Sequence, residues 1–136
     1  FKKSNLILAV FIAIFFGACS LKKGVEVENI SLENSKWELI SLNQKEIKKV
    51  EKVANINFEK ERVFGNLGCN NFFGAYKLNK NSLEIGQVGS TMMMCQNMQT
   101  EQDFAKVLQD VKTYKIDKNS LVFFDENSKE IAKFRN

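Results

Sequence analysis

Tyr76-Lys-Leu-Asn-Lys-Asn-Ser-Leu-Glu-Ile85 and Tyr114-Lys-Ile-Asp-Lys-Asn-Ser-Leu-Val-Phe123 are one phrase written twice, identical at six of ten positions and 38 residues apart. In each copy Lys-Asn-Ser stands between two runs that alternate toward strands, so each reads as a β-hairpin turned on polar residues. Convergence on a favoured turn and duplication of a strand-turn-strand unit both account for the likeness. Either way the sheet is antiparallel.

Outward from these hairpins the same alternation recurs. It appears in Trp37-Glu38-Leu39-Ile40, in Asn55-Ile56-Asn57-Phe58, in Arg62-Val63-Phe64-Gly65, in the aromatic run from Asn71 to Leu78, and in Ile131-Ala132-Lys133-Phe134. Only one stretch has helical spacing. Phe104, Val107, Leu108 and Val111 fall on one face, Glu101, Asp103, Lys106 and Asp110 on the other, and Thr100 is the expected N-cap. The acids near its start suit the helix dipole. The expected class is α+β, mostly antiparallel β, with one helix packed on the sheet.

The 136 residues, 44% hydrophobic and 26% charged, fit one globular domain. With no His there is no Ser-His-Asp triad, no Cys-His dyad and no imidazole-ligated zinc or haem. Ser90-Thr91 has no base beside it, and Glu38, Glu84 and Asp103 read as scattered solvated charge. No catalytic residue, metal ligand or cofactor is assigned, and the chain is expected not to be an enzyme.

Residues 1–18 carry the marks of a secretory signal: Lys2 and Lys3, an apolar run from Leu6 to Phe16, then Gly17-Ala18 before Cys19. That run is too short to span a hydrocarbon core of roughly 30 Å as a helix. Phe16-Gly17-Ala18-Cys19 resembles a bacterial lipobox, departing from it in having Phe16 where Leu is usual. The resemblance makes Cys19 the lipid attachment site and the membrane a partner, because two or three acyl chains hold permanently where one binds reversibly. Ser20 in place of Asp favours an outer-membrane lipoprotein facing the periplasm. Taking Lys2 and Lys3 from 20 basic residues leaves 18 against 16 acidic, too balanced for nucleic-acid binding. Residues 19–35 read as a tether, with Val25 and Val27 open to an edge-strand reading, and 36–136 as the domain.

The landmarks of that domain are Trp37-Glu-Leu, Gly68-Cys69-Asn70-Asn71-Phe72-Phe73-Gly74-Ala75-Tyr76, Ser90-Thr91-Met92-Met93-Met94-Cys95, the helix from Glu101 to Leu108, Tyr114-Lys-Ile, and Leu121 with its strand. Together they resemble the META domain, also called HslJ-like, over roughly residues 36–134. Gln96 departs from a proline that often follows the second cysteine. The resemblance implies a small open-barrel-like sheet with one packed helix, similar to secretin pilotins, and no known enzyme activity. It also implies links to heat stress and novobiocin resistance. On this basis the expected role is non-catalytic, either binding an apolar ligand or envelope protein or maintaining the envelope under stress.

With Cys19 taken by lipid, Cys69 and Cys95 are an even remainder, 26 positions apart in an oxidising compartment. A disulfide between them is the expectation, with a pair of buried free thiols as the alternative. Gly68, Asn70, Asn71 and Gly74 match no phosphate-loop pattern and are expected at left-handed turn positions. Met92, Met93, Met94 and Met98 could serve as soft ligands for Cu(I) with Cys95, line an apolar groove, or fill the core, and the core is the expectation. Adjacent Phe72-Phe73 and Phe123-Phe124 must point to opposite faces of their strands, which leaves a second apolar surface. No ligand-binding residue is assigned.

Overall fold

The computed structural model describes residues 31–47 and 52–136. The expected export segment, Cys19, Val25 and Val27 lie outside the described residues.

In chain order the elements are β1 (Ser35–Leu42), β2 (Lys45–Glu46), β3 (Asn55–Phe58), β4 (Arg62–Asn66), β5 (Asn71–Asn79), β6 (Ser82–Ile85), β7 (Gly89–Ser90), α1 (Gln99–Asp110), β8 (Thr113–Asp117), β9 (Ser120–Phe124) and β10 (Glu130–Arg135). Both copies of the repeated phrase form hairpins, β5–β6 and β8–β9. Each turns on Lys-Asn with the lysine left-handed, Lys80 at φ 59° and Lys118 at φ 57°. A positive φ at the first central residue matches the right-handed twist of the flanking strands.

All pairings are antiparallel, in the order β1-β3-β4-β5-β6-β8-β9-β10 and back to β1. The sheet is therefore a closed eight-stranded barrel rather than the open one that the resemblance implied. Its closure is β1 on β10, Glu38 opposite Arg135 through Leu42 opposite Ala132, with a bulge between Leu39 and Ser41. The narrowest seam is β6 to β8, where Ser82 alone faces Thr113. Two flanking hydrogen bonds, Leu83 N–H to Lys112 C=O and Tyr114 N–H to Asn81 C=O, hold it at 2.9 and 3.0 Å.

Alternation fills the interior from seven of the eight barrel strands, with Trp37, Ile56, Phe58, Val63, Phe72, Leu83, Leu121, Phe123 and Phe134 all buried, while β8 adds only the partly buried Tyr114 and Ile116. α1 buries Thr100, Phe104, Val107 and Leu108. Phe104 stands between the inward Phe72 and Phe134 rings, at centroid distances of 6.0 and 5.8 Å, and Phe134 continues to Phe123 at 4.8 Å. These spacings suit tilted and edge-on aromatic pairs. Of the adjacent pair, Phe72 is buried and Phe73 is 56% exposed, with Phe64 beside it on the outer face.

Two boundaries differ from the sequence reading. Leu32 is fully buried and Ser35 already pairs with Phe58, so residues 32–35 belong to the domain rather than the tether. The Ser35 hydroxyl donates to Leu32 C=O and accepts from Trp37 Nε1, tying that entry down. Thr100 is not the N-cap either. It is buried inside α1, and Asn97 Oδ1 accepts from Gln99 N–H at 3.0 Å instead. An Asn side chain two residues ahead satisfies an otherwise orphaned helix donor.

Burial, and then the nearby Glu33 carboxylate, raises the Tyr76 phenol above its ordinary pKa; burial raises Tyr114. A group whose folded pKa is raised contributes stability present below its unfolded pKa, about 10, and lost as pH rises through the folded value. Thermal unfolding scanned upward from pH 9 should show stability falling more steeply in the native chain than in Tyr76→Phe. Equal slopes would remove Tyr76 from the account.

Candidate functional site

β4 and β5 are joined by Leu67-Gly68-Cys69-Asn70, a connection closed by Leu67 N–H to Asn70 C=O at 2.8 Å. Gly68 holds φ +119°, a conformation that a Cβ would strain. It is the only one of the four expected left-handed residues to adopt it. Asn70 and Asn71 keep negative φ, and Gly74 lies within β5, where an added Cβ would meet Val88 Cγ1 at 3.0 Å. Asn66 braces the turn, its Oδ1 accepting from Gly68 N–H at 2.8 Å and its Nδ2 donating to Asn71 Oδ1 at 2.9 Å.

Asn70, 2% exposed, is the hub. Its Oδ1 accepts from Met93 N–H at 2.6 Å and from the Thr91 hydroxyl at 2.9 Å. Its Nδ2 donates to Met93 C=O at 3.0 Å and to Glu101 Oε2 at 2.7 Å, while Glu101 Oε1 takes the Asn70 backbone N–H at 2.6 Å. The carboxamide thus pairs with Met93 as a neighbouring peptide unit would, and Glu101 anchors it from the first turn of α1. Carboxylate acceptors make the stronger class of hydrogen bond, and a helix N-terminus favours their charge. Thr91 extends the β5–β7 ladder, with Thr91 N–H to Asn71 C=O at 3.0 Å and Asn71 N–H to Thr91 Oγ1 at 3.1 Å. Cys95 is joined to the buried Cys69 by a disulfide, Cα to Cα 6.0 Å.

The loop from Thr91 to Cys95 is therefore pinned at residues 91, 93 and 95. In an extended chain alternate side chains face opposite ways, so the free residues between the pins point outward. Met92 is 94% exposed, Met94 87% and Met93 44%. The expectation that these methionines fill the core is overturned, because the core here is completed by rings and the loop is held by polar groups. Met98, half-buried ahead of α1, stands apart from them.

Cys69 and Cys95 are joined as expected, which leaves a copper site at this loop with thioethers alone. No group of three or more His, Cys, Asp or Glu among the described residues could hold a metal. Glu38 forms a surface ion pair with Arg135 at 2.8 Å, Glu84 lies opposite Lys77, and Asp103 accepts from Gln99 at 3.0 Å. Glu101, read from sequence as part of the exposed face, is the residue that reasoning missed. Its signal was the acid in the first turn of a helix that follows the second cysteine.

Three hollows lie among the described residues. One of about 390 Å³ lies beside the start of α1, between Leu42, Ile47, Thr100 and Asp103. A second, about 710 Å³, crosses β4, β5 and β6 and mixes Lys60, Arg62 and Lys77 with Glu61 and Glu84. A third, about 560 Å³, lies where β1 meets β10, bordered by Ile40, Ser41, Glu130 and Lys133. None of the three gathers the exposed methionines.

Three solved structures share the fold. One, determined by NMR, is 23% identical, with 76% of this chain and 90% of that one covered and a TM-score of 0.62. An NMR structure of a protein from Burkholderia xenovorans is 16% identical, with 88% and 97% covered and a TM-score of 0.63. A crystal structure of a DUF4847 family protein from Bacteroides vulgatus is 15% identical, with 81% and 96% covered and a TM-score of 0.57. No curated protein sequence matches the chain. The family model of the META domain matches residues 30–136, which takes in the buried Leu32, the whole barrel and the Asn70 clamp, and the chain belongs to the META domain family.

Proposed function

We propose that this chain is a bacterial envelope lipoprotein, anchored in the outer membrane through Cys19, whose META domain has a non-catalytic binding role in envelope maintenance under stress. The surface that binds is the Met92–Met94 loop, and the partner is an apolar segment of another envelope protein. One observation carries this reading. Met92 and Met94 stand 94% and 87% exposed on a backbone held at both sides by buried groups. Flexible thioether side chains adapt to varied apolar partners, and contiguous exposed apolar side chains mark interaction sites more often than chance placement. An apolar ligand carried inside the barrel fits less well, because Phe58, Phe72, Phe104, Phe123 and Phe134 occupy that interior.

The test is complementation of a strain lacking the protein, grown under heat or novobiocin. Met92→Ser with Met94→Ser should fail to restore growth while accumulating to the native level; full restoration at equal abundance would remove the loop as the binding surface. In the same strain Cys19→Ala should leave the membrane fraction, and retention there contradicts the anchor.

A further inference from the structure

All four methionines of the chain fall between residues 92 and 98, none of them in the barrel core, and both described cysteines are consumed in the disulfide. Among the described residues the oxidisable sulfur is thus gathered at one exposed place. We propose that Met92 and Met94 form a reversible oxidation site for two-electron oxygen donors of the hypochlorous acid and peroxide class, which converts this apolar loop into a polar one.

Exposure and chemistry carry the inference together. Oxidation of a thioether follows access, and the product sulfoxide is polar and chiral. With hypochlorous acid the sulfur lone pair attacks the electrophilic oxygen. The S–O bond forms as the O–Cl bond breaks, chloride leaves, and the hydroxyl proton passes to water. Sulfur loses two electrons and chlorine gains them. With a peroxide the O–O bond breaks instead and the departing oxygen leaves as water or alcohol. A methionine sulfoxide reductase supplied with a dithiol reverses the change, the oxygen leaving as water and the dithiol becoming a disulfide.

Most buried methionines would damage the fold on oxidation. Here the loop is held by Asn70 through Met93 N–H, Met93 C=O and the Thr91 hydroxyl, and by Cys95 through sulfur. None of these contacts uses a methionine side chain, so added oxygen changes the surface and leaves the clamp intact. Met98, half-buried, provides an internal comparison. The consequence for partner binding rests on the loop being the binding surface, whereas the order of oxidation does not.

Graded hypochlorous acid or hydrogen peroxide applied to the purified full-length chain, followed by peptide mapping, tests the site. Met92 and Met94 should gain oxygen several-fold faster than Met98, with the unfolding temperature unchanged and the sulfoxides removed by reductase and dithiothreitol. Equal rates at Met98, a lowered unfolding temperature, or sulfoxides that resist the reductase would each overturn the proposal. A second arm separates it from the functional reading. If Met92→Ser with Met94→Ser restores growth while the oxidation order holds, the binding surface is wrong and the oxidation site stands.

Discussion

Removing the bridge by Cys69→Ala with Cys95→Ala should lower the unfolding free energy by roughly 3–4 kcal/mol in the chain-entropy description, given a closed loop of 26 residues. The loop it closes runs from the β4–β5 turn through β5, β6 and β7 to the end of the methionine segment. In the unfolded chain that whole stretch becomes free. In the folded chain the cost is smaller, because β5 remains paired on both sides and Asn70 still grips Met93. Urea unfolding of the double variant against the native chain, both carrying Cys19→Ala, reads the difference. A midpoint lowered with an increased slope reports the expected expansion of the unfolded state. A loss below about 1 kcal/mol would mean that the unfolded chain is already compact or that the thiols do not pair.

The antiparallel sheet was legible because its signals are local. Tyr76–Ile85 and Tyr114–Phe123 each carry strand, turn and strand within ten residues. Barrel closure was not, since it joins Glu38 to Arg135 across 97 positions and depends on a bulge in β1 that no pattern announces. The helix was read correctly in its apolar face and wrongly at its start. Thr100 has the right type for a cap, but it is buried against Gly68, and tertiary packing overrides a local preference. At the site, the Gly-Cys-Asn and Thr-Met motifs were visible as words without their meaning. Asn70 reaches Glu101 31 residues away, so its role exists only in the folded chain. Three consecutive methionines have no periodicity by which to divide inside from outside. Their exposure follows from which backbone groups Asn70 captures.

Asn70→Ala should therefore be the most damaging single polar substitution in the domain, costing about 3 kcal/mol, since it orphans neutral partners at about 1 kcal/mol each and weakens a charged one. The Met93 N–H, Met93 C=O and Thr91 hydroxyl lose their partner together. Glu101 keeps the backbone N–H of residue 70 and loses the second of its two donors. Water can reach Met93 from its exposed side, which limits the penalty there, but it cannot replace a carboxamide buried to 2%. Asn70→Asp should cost at least as much despite its matching shape. Its new oxygen would face the Glu101 carboxylate and the Met93 carbonyl, acceptor against acceptor. Glu101→Gln should cost less, about 1–2 kcal/mol, because one amide oxygen still accepts from one of the two donors. Hydrogen exchange gives the discriminating readout. The Met93 amide should lose protection in Asn70→Ala while amides of β8–β9, a hairpin remote from the loop in the strand order, keep theirs. Unpinned, Met93 would also oxidise as readily as Met92 and Met94. A loss under about 1 kcal/mol with the Met93 amide still protected would mean that the disulfide alone shapes the loop and that the Asn70 contacts are incidental.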